Sequence, residues 1–399
     1  MHPYLMRFEM SSKMNQSKFW SYQLVLVFGI TFLISMVLNM QNSILPVFIH
    51  SFGGDSNSIG LLTSLFTLSA MIFRPIFGSA LDSKGRKSVL ILGIILFAIT
   101  SILFGFASTL WIILGLRIFQ GIGFSGQGTA TGTLLTDLVD KEHLPKVFGY
   151  NFIMAALSTA VGPILALFLY QNFGYSLFFF ITYGLVVISF IGSLWIKQPS
   201  HIDLTNFQSF KFNNLFEKSA LVPSFIIFLA GVLLPSVFSF LIPFALEKGF
   251  TNIGLFFSFY SIFNVIGIKL PDYINKFINT RTVILIGLTL ICVAYIILGL
   301  SNSLALYLLG GSLMGFGLGN IMPGLQTIAV SGCDINRRGA ATATFYSFMD
   351  VSFAIGAIMI GYLSQFISLP VIFYIGSFIS ILSILMYIIL IYRSKSNLK

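Results

Sequence analysis

The sequence predicts an all-α integral membrane protein with twelve transmembrane helices in two pseudo-symmetric six-helix halves, and three observations predict it. Of the 399 residues, 56% are hydrophobic and 9% charged, with a mean hydropathy of +0.94. Soluble domains carry about 25% charged residues, so this chain cannot coat a water-facing surface. Disorder needs low hydrophobicity and high charge and is excluded as firmly. A soluble enzyme is therefore ruled out. The second observation is about twelve apolar runs, each near the roughly 20 residues that a hydrocarbon core about 30 Å thick requires. The third is an internal repeat at one constant offset.

In chain order the runs occupy residues 21–48, 57–80, 88–107, 110–135, 147–170 and 175–196, then 220–246, 252–271, 281–300, 303–330, 339–366 and 369–392. The organisation that follows is a cytoplasmic tail (1–20), a first six-helix half (21–196), a central cytoplasmic linker (197–219), a second half (220–392) and a second cytoplasmic tail (393–399). In the linker, Phe207, Phe210, Phe212, Leu215 and Phe216 read as an interfacial helix. The segment before the first span is polar and lacks a small-residue cleavage site, so no removable signal peptide is expected, and Met14 is a candidate start.

Lys and Arg in short loops resist translocation and so mark the cytoplasmic side. Arg7, Lys13 and Lys18 precede span one, Lys84, Arg86 and Lys87 follow span two, and Lys141 and Lys146 follow span four. Lys197, Lys211 and Lys218, then Lys276 and Arg281, then Arg337 and Arg338, and finally Arg393, Lys395 and Lys399 mark the later even-numbered connections and the tail. The opposite connections contain Lys248 alone. Both termini are thus expected on the cytoplasmic side of the cell membrane. The net charge of +10 then reports threading through a lipid bilayer rather than a nucleic-acid partner.

The repeat is exact in register. Ser88-Val89-Leu90-Ile91-Leu92-Gly93 aligns with Thr282-Val283-Ile284-Leu285-Ile286-Gly287, a shift of 282 − 88 = 194 residues. The same shift carries Ile59-Gly60-Leu61 to Ile253-Gly254-Leu255, Gly121 and Gly123 to Gly315 and Gly317, and Gly162 to Gly356. Six spans per copy give the two copies the same orientation, as in transporters whose substrate site lies between parallel repeats near the midplane.

The connection after span two reads Gly78-Ser79-Ala80-Leu81-Asp82-Ser83-Lys84-Gly85-Arg86-Lys87. A glycine lets helices approach, a carboxylate suits the N-terminus of a neighbouring helix, and a second glycine permits a tight turn. This resembles the loop signature G-x-x-x-D-x-x-G-R-K of the major facilitator superfamily. The resemblance implies that Asp82 meets the N-terminus of span eleven near Gly339 and that Arg86 pairs with Asp137, latching the cytoplasmic face. The second-half counterpart, Asp272 to Arg281, has Asn279 in place of Gly85 and is decayed.

Span four contains Arg117-Ile118-Phe119-Gln120-Gly121-Ile122-Gly123, similar to the family's R-x-x-Q-G-x-G. The resemblance implies a role for Arg117 in proton coupling. An arginine inside an apolar run costs about 2.5–3.5 kcal/mol on insertion scales and is a functional candidate for that reason. Gly162-Pro163 in span five predicts a helix kink and is the core of the family's exporter signature G-x-x-x-G-P-x-x-G-G. Ser158, Ala166 and Leu167 replace three of its glycines, so the signature is partial.

Asp350 is the one carboxylate near the middle of an expected span. It lies twelve residues beyond Arg338, roughly 18 Å deep at 1.5 Å per residue. Burial disfavours a charged carboxylate, so Asp350 is a candidate proton carrier. Arg74, beside Pro75 in span two, either lines a cavity or snorkels to the interface. Candidate cavity groups are Asn39, Gln41, Asn42, Gln120, Gln127, Asn151, Asn264, Asn320, Gln326 and Tyr346; amides at such positions also serve as glue between helices.

Two cysteines, Cys292 and Cys333, cannot make a disulfide framework, and His2, His50, His143 and His201 are scattered. No metal centre and no cofactor is implied. The reading is a monomeric, proton-coupled secondary transporter that exports a small organic molecule, either a drug-like compound or a secreted metabolite such as a metallophore. Its rivals are a proton symporter importing a sugar or other metabolite, and a membrane-embedded enzyme or scramblase.

Overall fold

The computed structural model describes residues 20–53, 56–197, 216–237, 248–249, 255–274, 278–364 and 366–392. Among these residues the chain forms twelve principal helices. The first four are α1 (Tyr22–His50), α2 (Ser56–Lys84), α3 (Arg86–Leu103) and α4 (Leu110–Asp137). Leu144–Leu194 is one helical run broken at Gly174, whose φ of 72° and ψ of −176° are not helical; α5 precedes the break and α6 follows it. The second half contributes α7 (Lys218–Gly231), α8 (Leu255–Ile274), α9 (Thr280–Gly299), α10 (Leu304–Ser331), α11 (Arg338–Leu363) and α12 (Leu369–Tyr387). Eight described helical runs are long and apolar enough to cross a membrane, and α7 and α8 contain shorter apolar stretches.

Span limits follow from local chemistry. Thr109 caps α4 by accepting from the Ile112 N–H, and Ser303, its counterpart one repeat on, caps α10 by accepting from Leu306. Both satisfy a backbone donor that a helix start leaves open. Between α2 and α3 the chain reverses at Gly85, whose φ of 93° suits a residue without a Cβ. In span seven α7 ends at Gly231 and the described chain runs on to residue 237; residues 238–247 lie outside the described set. The two tails, most of the linker including Phe207 to Leu215, Met14 and Lys276 also lie outside it.

The repeat reappears as packing. A Cβ on Gly121 would lie 2.3 Å from the Phe66 carbonyl oxygen, and one on Gly315 would lie 2.1 Å from that of Tyr260, where 66 + 194 = 260. In both halves, then, the fourth helix touches the backbone of the second, the small-residue contact that holds membrane helices together where water supplies no drive. Gly162 against Met36 and Gly356 against Val232 pair α5 with α1 and α11 with α7 in the same way. The halves meet where α2 packs along α11 and where the Leu144–Leu194 run packs on α8 and α10.

Candidate transport site

The α2–α3 turn, the α4–α5 connection and the α10–α11 connection gather at one end of the bundle, together with Arg86, Lys87, Lys141, Lys146, Arg337 and Arg338. At this basic end Asp82 accepts hydrogen bonds from the Gly339 N–H at 3.0 Å and the Ala340 N–H at 2.9 Å. A carboxylate there meets both the open donors and the positive end of the α11 dipole. Gly78 and Gly339 allow the approach, since a Cβ on Gly78 would stand 2.4 Å from that of Ala343.

Arg86 is fully buried. Its Nε donates to Asp137 at 2.9 Å, and its Nη1 donates to the Leu81 carbonyl at 2.8 Å and to Asp82 at 3.2 Å. Asp137 also takes a bond from Arg338 Nη1 at 3.3 Å, and the same guanidinium bonds the Thr136 carbonyl. The result is an alternating chain of charges, Asp82, Arg86, Asp137 and Arg338, that passes from the first half into the second. Arg337 extends it on the second side by binding Glu217 at 2.9 Å. Lys87 donates to the Leu194 carbonyl at the end of α6.

Midway along the bundle, Arg74 of α2 forms a two-point ion pair with Asp350 of α11, through Nε and Nη2. Arg74 lies ten residues before Lys84, roughly 15 Å from that helix end, which matches the depth of Asp350. The guanidinium lies 5.1 Å from the Tyr346 ring centre and 5.9 Å from that of Phe124. Tyr346 accepts a hydrogen bond from Gln326 at 3.1 Å. Arg74 thus neither snorkels nor lines open space; it is 3% exposed and holds the two halves together.

Arg117 occupies a different place. It donates to Gln120 at 2.7 Å and to Asn42 at 2.6 Å, and lies over the Phe66 ring at 4.9 Å. Gln120 bonds Gln41, which in turn donates to Thr182 at 3.2 Å. Among the described residues no carboxylate pairs with Arg117, so its charge is met by amide dipoles and a ring face. The two candidates for proton coupling, Asp350 and Arg117, are therefore not brought together.

A cavity of about 220 Å³ lies between the halves, lined by α5, α8, α10 and α11 and by Leu234 just beyond α7. Phe152, Ala156 and Thr159 face it from one half, and Asn264, Ile268, Leu318, Met322 and Phe353 from the other. Pro163, inside the helix beside this space, has no N–H to offer the Thr159 carbonyl four residues earlier. Asn264, which also donates to the Gly315 carbonyl at 3.1 Å, is the one expected cavity residue in the lining. Asn39 bonds Ser158 and Thr159 instead, and Asn42 and Gln120 belong to the Arg117 network. Gln127, Asn151, Asn320 and Gln326 are buried between helices. Asn39, Asn42, Gln120 and Gln326 lower their cost by pairing with side chains, whereas the Oδ1 atoms of Asn151 and Asn320 are buried without a partner among the described residues.

Toward the basic end the cavity closes where Ile268 meets Gly149 and where the Lys269 ammonium lies 3.7 Å from the centre of the Tyr150 ring. Lys269 sits inside α8 and joins Arg74 and Arg117 as a basic residue within a span rather than in a connection or tail. The sequence signal was an isolated lysine within an apolar run. Arg338 and Glu217 likewise entered only as topology markers, or not at all, before the structure showed their contacts.

The sequence matches the family model of the Major Facilitator Superfamily over residues 27–276 and 251–399. The chain belongs to the Major Facilitator Superfamily. It is 26% identical over 185 residues to the quinolone resistance protein NorA of Staphylococcus aureus, covering 46% of this chain and 47% of that protein. That match spans about half the length of these curated relatives. It is 24% identical over 350 residues, 85% of each chain, to the uncharacterized MFS-type transporter YhhS of Escherichia coli strain K12. Among solved structures, the human organic anion transporter MFSD10 superposes with a TM-score of 0.78 at 14% identity, over 92% of this chain and 100% of that one. A variant of the E. coli fucose:proton symporter FucP superposes with a TM-score of 0.77 at 15% identity, over 94% and 98%. At such identities the likeness shows the fold, two six-helix halves around a central cavity. The chain is thus a multi-pass membrane protein of the Major Facilitator Superfamily.

Proposed function

We propose that the chain is a proton-coupled secondary transporter that exports a small organic molecule by alternating access. Its basic end faces the cytoplasm, both tails and the 197–219 linker lie on that side of the cell membrane, and it works as a monomer. The observation that carries the reading is the Arg74–Asp350 pair, which ties α2 of one half to α11 of the other at mid-depth. Neutralising one partner of a buried pair costs roughly 3–5 kcal/mol. Protonation of Asp350 from outside therefore loosens the junction of the halves.

With Asp350 neutral, the halves rock and the latch at Asp82, Arg86 and Asp137 opens. The proton leaves to the cytoplasm, cargo enters the cavity, and renewed ionisation of Asp350 restores the pair as the basic end closes. Arg117, over the Phe66 ring, supports α1, α2 and α4 as they move together. Kinship with the quinolone resistance protein NorA supports export. Import by proton symport uses the same latch and pair, and the partial exporter signature around Pro163 keeps it as the rival.

The sign of the gradient separates them. In inverted vesicles containing the purified chain, uptake of a quinolone driven by an acidic interior is expected; uptake driven only by an acidic exterior would establish symport. Asp350→Asn is expected to abolish gradient-driven accumulation and to retain exchange of labelled for unlabelled quinolone. Full accumulation by that variant would remove Asp350 from the mechanism.

A further inference from the structure

The residues around Arg74 and the lining of the cavity are related by the 194-residue repeat. Arg74 itself maps to Ile268 (74 + 194), and its neighbours Phe124 and Gly128 map to Leu318 and Met322. In the reverse direction Tyr346 maps to Phe152 and Asp350 to Ala156 (350 − 194). All five mapped residues line the 220 Å³ cavity. The cavity is therefore the pseudo-symmetric copy of the ion-pair site. On the α2–α11 side a guanidinium, a carboxylate and a tyrosine fill the volume. On the α5–α8 side Ile268, Ala156 and Phe152 leave it open and uncharged.

We propose that the transporter has divided one duplicated site between two tasks: the α2–α11 copy carries the proton, and the α5–α8 copy recognises cargo by an uncharged apolar group. This rests on the proton role given above for Asp350, and it adds that cargo and proton do not compete for that carboxylate. Among the described residues no Asp, Glu, Lys or Arg lines the cavity, and its polar side chains include Thr159, Ser261 and Asn264. A charged group placed there would find no side-chain counter-ion among the described lining residues, and burying a charge without a partner is costly. The volume is below the roughly 300–1,000 Å³ of pockets for drug-sized ligands, so it suits one ring system.

The two tasks are joined by α11. Phe353 faces the cavity and Asp350 the ion pair, three residues apart and so about one turn along the same helix. Cargo pressing on Phe353 shifts the helix that carries Asp350, so Phe353 is a positioning residue for the proton carrier.

The test uses the full chain with Ala156→Cys in a Cys292→Ser, Cys333→Ser background, reconstituted in lipid vesicles. Protection of the introduced thiol from N-ethylmaleimide is measured with three probes of one shape: 2-naphthalenemethanol, 2-naphthoate and 2-naphthylmethylammonium. The neutral probe is expected to protect at a concentration at least about ten-fold lower than either ion, given the cost of burying charge. Adding Asp350→Asn shifts the balance of states and so the absolute concentrations, but the neutral probe is expected to keep its advantage of at least about ten-fold over either ion, because cargo does not bind that carboxylate. Better protection by an ion, no protection by any probe, or loss of the neutral probe's advantage in the Asp350→Asn background would overturn the proposal. Should Ala156→Cys fail to fold, Met322→Cys offers a second position in the same lining. Gradient-driven uptake is scored separately: its persistence in Asp350→Asn with the neutral probe's advantage kept would sink the proton role alone and leave the cargo site standing.

Discussion

Asp137, at the end of α4, binds Arg338, at the start of α11, across the junction of the two halves, with Oδ1 and Nη1 3.3 Å apart. The same carboxylate holds Arg86 at 2.9 Å, so one side chain serves two buried cations. Removing its charge takes a carboxylate from each of them, leaving Arg86 with Asp82 and backbone carbonyls and Arg338 with the Thr136 carbonyl, a loss of roughly 3–5 kcal/mol for a buried pair. Asp137→Asn is expected to shift the population toward the state open at the basic end, by at least about 100-fold at 1.4 kcal/mol per decade. Double electron–electron resonance between labels on α2 and α11 would register the separation. An unchanged distance distribution would show that the contact is not a latch.

Cys333, in the α10–α11 connection, reports on the same closure. Burial, and then the nearby Glu217 carboxylate, push its thiol up to about 12. Since the folded pKa lies far above neutral, almost none of the reactive thiolate is present at pH 7. Alkylation by N-ethylmaleimide is expected to be slow in the native chain and at least about ten-fold faster in Asp137→Asn, as the thiol returns toward its ordinary value near 8.5. Equal rates in the two proteins would separate Cys333 from the latch.

Lys269 and Tyr150 close the other side of the basic end, on α8 and α5. A cation over an aromatic face contributes about 0.5–2 kcal/mol, less than the buried ion cluster. Lys269→Met is expected to raise the population open at the basic end by about 2- to 30-fold, the range those energies imply. Tyr150→Phe is expected to leave it near native, because the ring face rather than the hydroxyl makes the contact. Loss of closure in Tyr150→Phe would assign the effect to the hydroxyl.

The glycine contacts offer a test of the repeat itself. Gly121→Ala and Gly315→Ala each force a methyl group against a carbonyl oxygen one helix away. Each is expected to cost about 1–3 kcal/mol of overpacking, measured by thermal unfolding in detergent micelles. Gly115→Ala, where nothing lies within 4 Å, is expected to be neutral or stabilising by up to ~1 kcal/mol through helix propensity. Unequal losses at Gly121 and Gly315 would mean that the two halves bear packing strain differently.

The contacts at the basic end were expected through a resemblance. Asp82 and Arg86 stand in a loop signature at the α2–α3 turn, and the family resemblance implied that they meet Gly339 and Asp137, as the hydrogen bonds show. Arg338 escaped notice because a basic residue at a helix start also serves topology, and sequence does not separate the two uses. Lys269 escaped because topology was counted in connections, and it lies inside α8.

By itself the sequence determined the spans, their apolar character and the duplication, since each is set by residues close in the chain or by one constant offset. It also showed that Arg74 and Asp350 were charges out of place. Only the tertiary structure decided that they are each other's partner, because 276 residues separate them and the packing of α2 on α11 is what brings them to one depth. It likewise decided that most expected cavity amides pair with neighbouring helices. Where the ion pair fills its site, the duplicated positions on the other side are too small and too apolar to do so, and that difference in side-chain volume leaves the cavity.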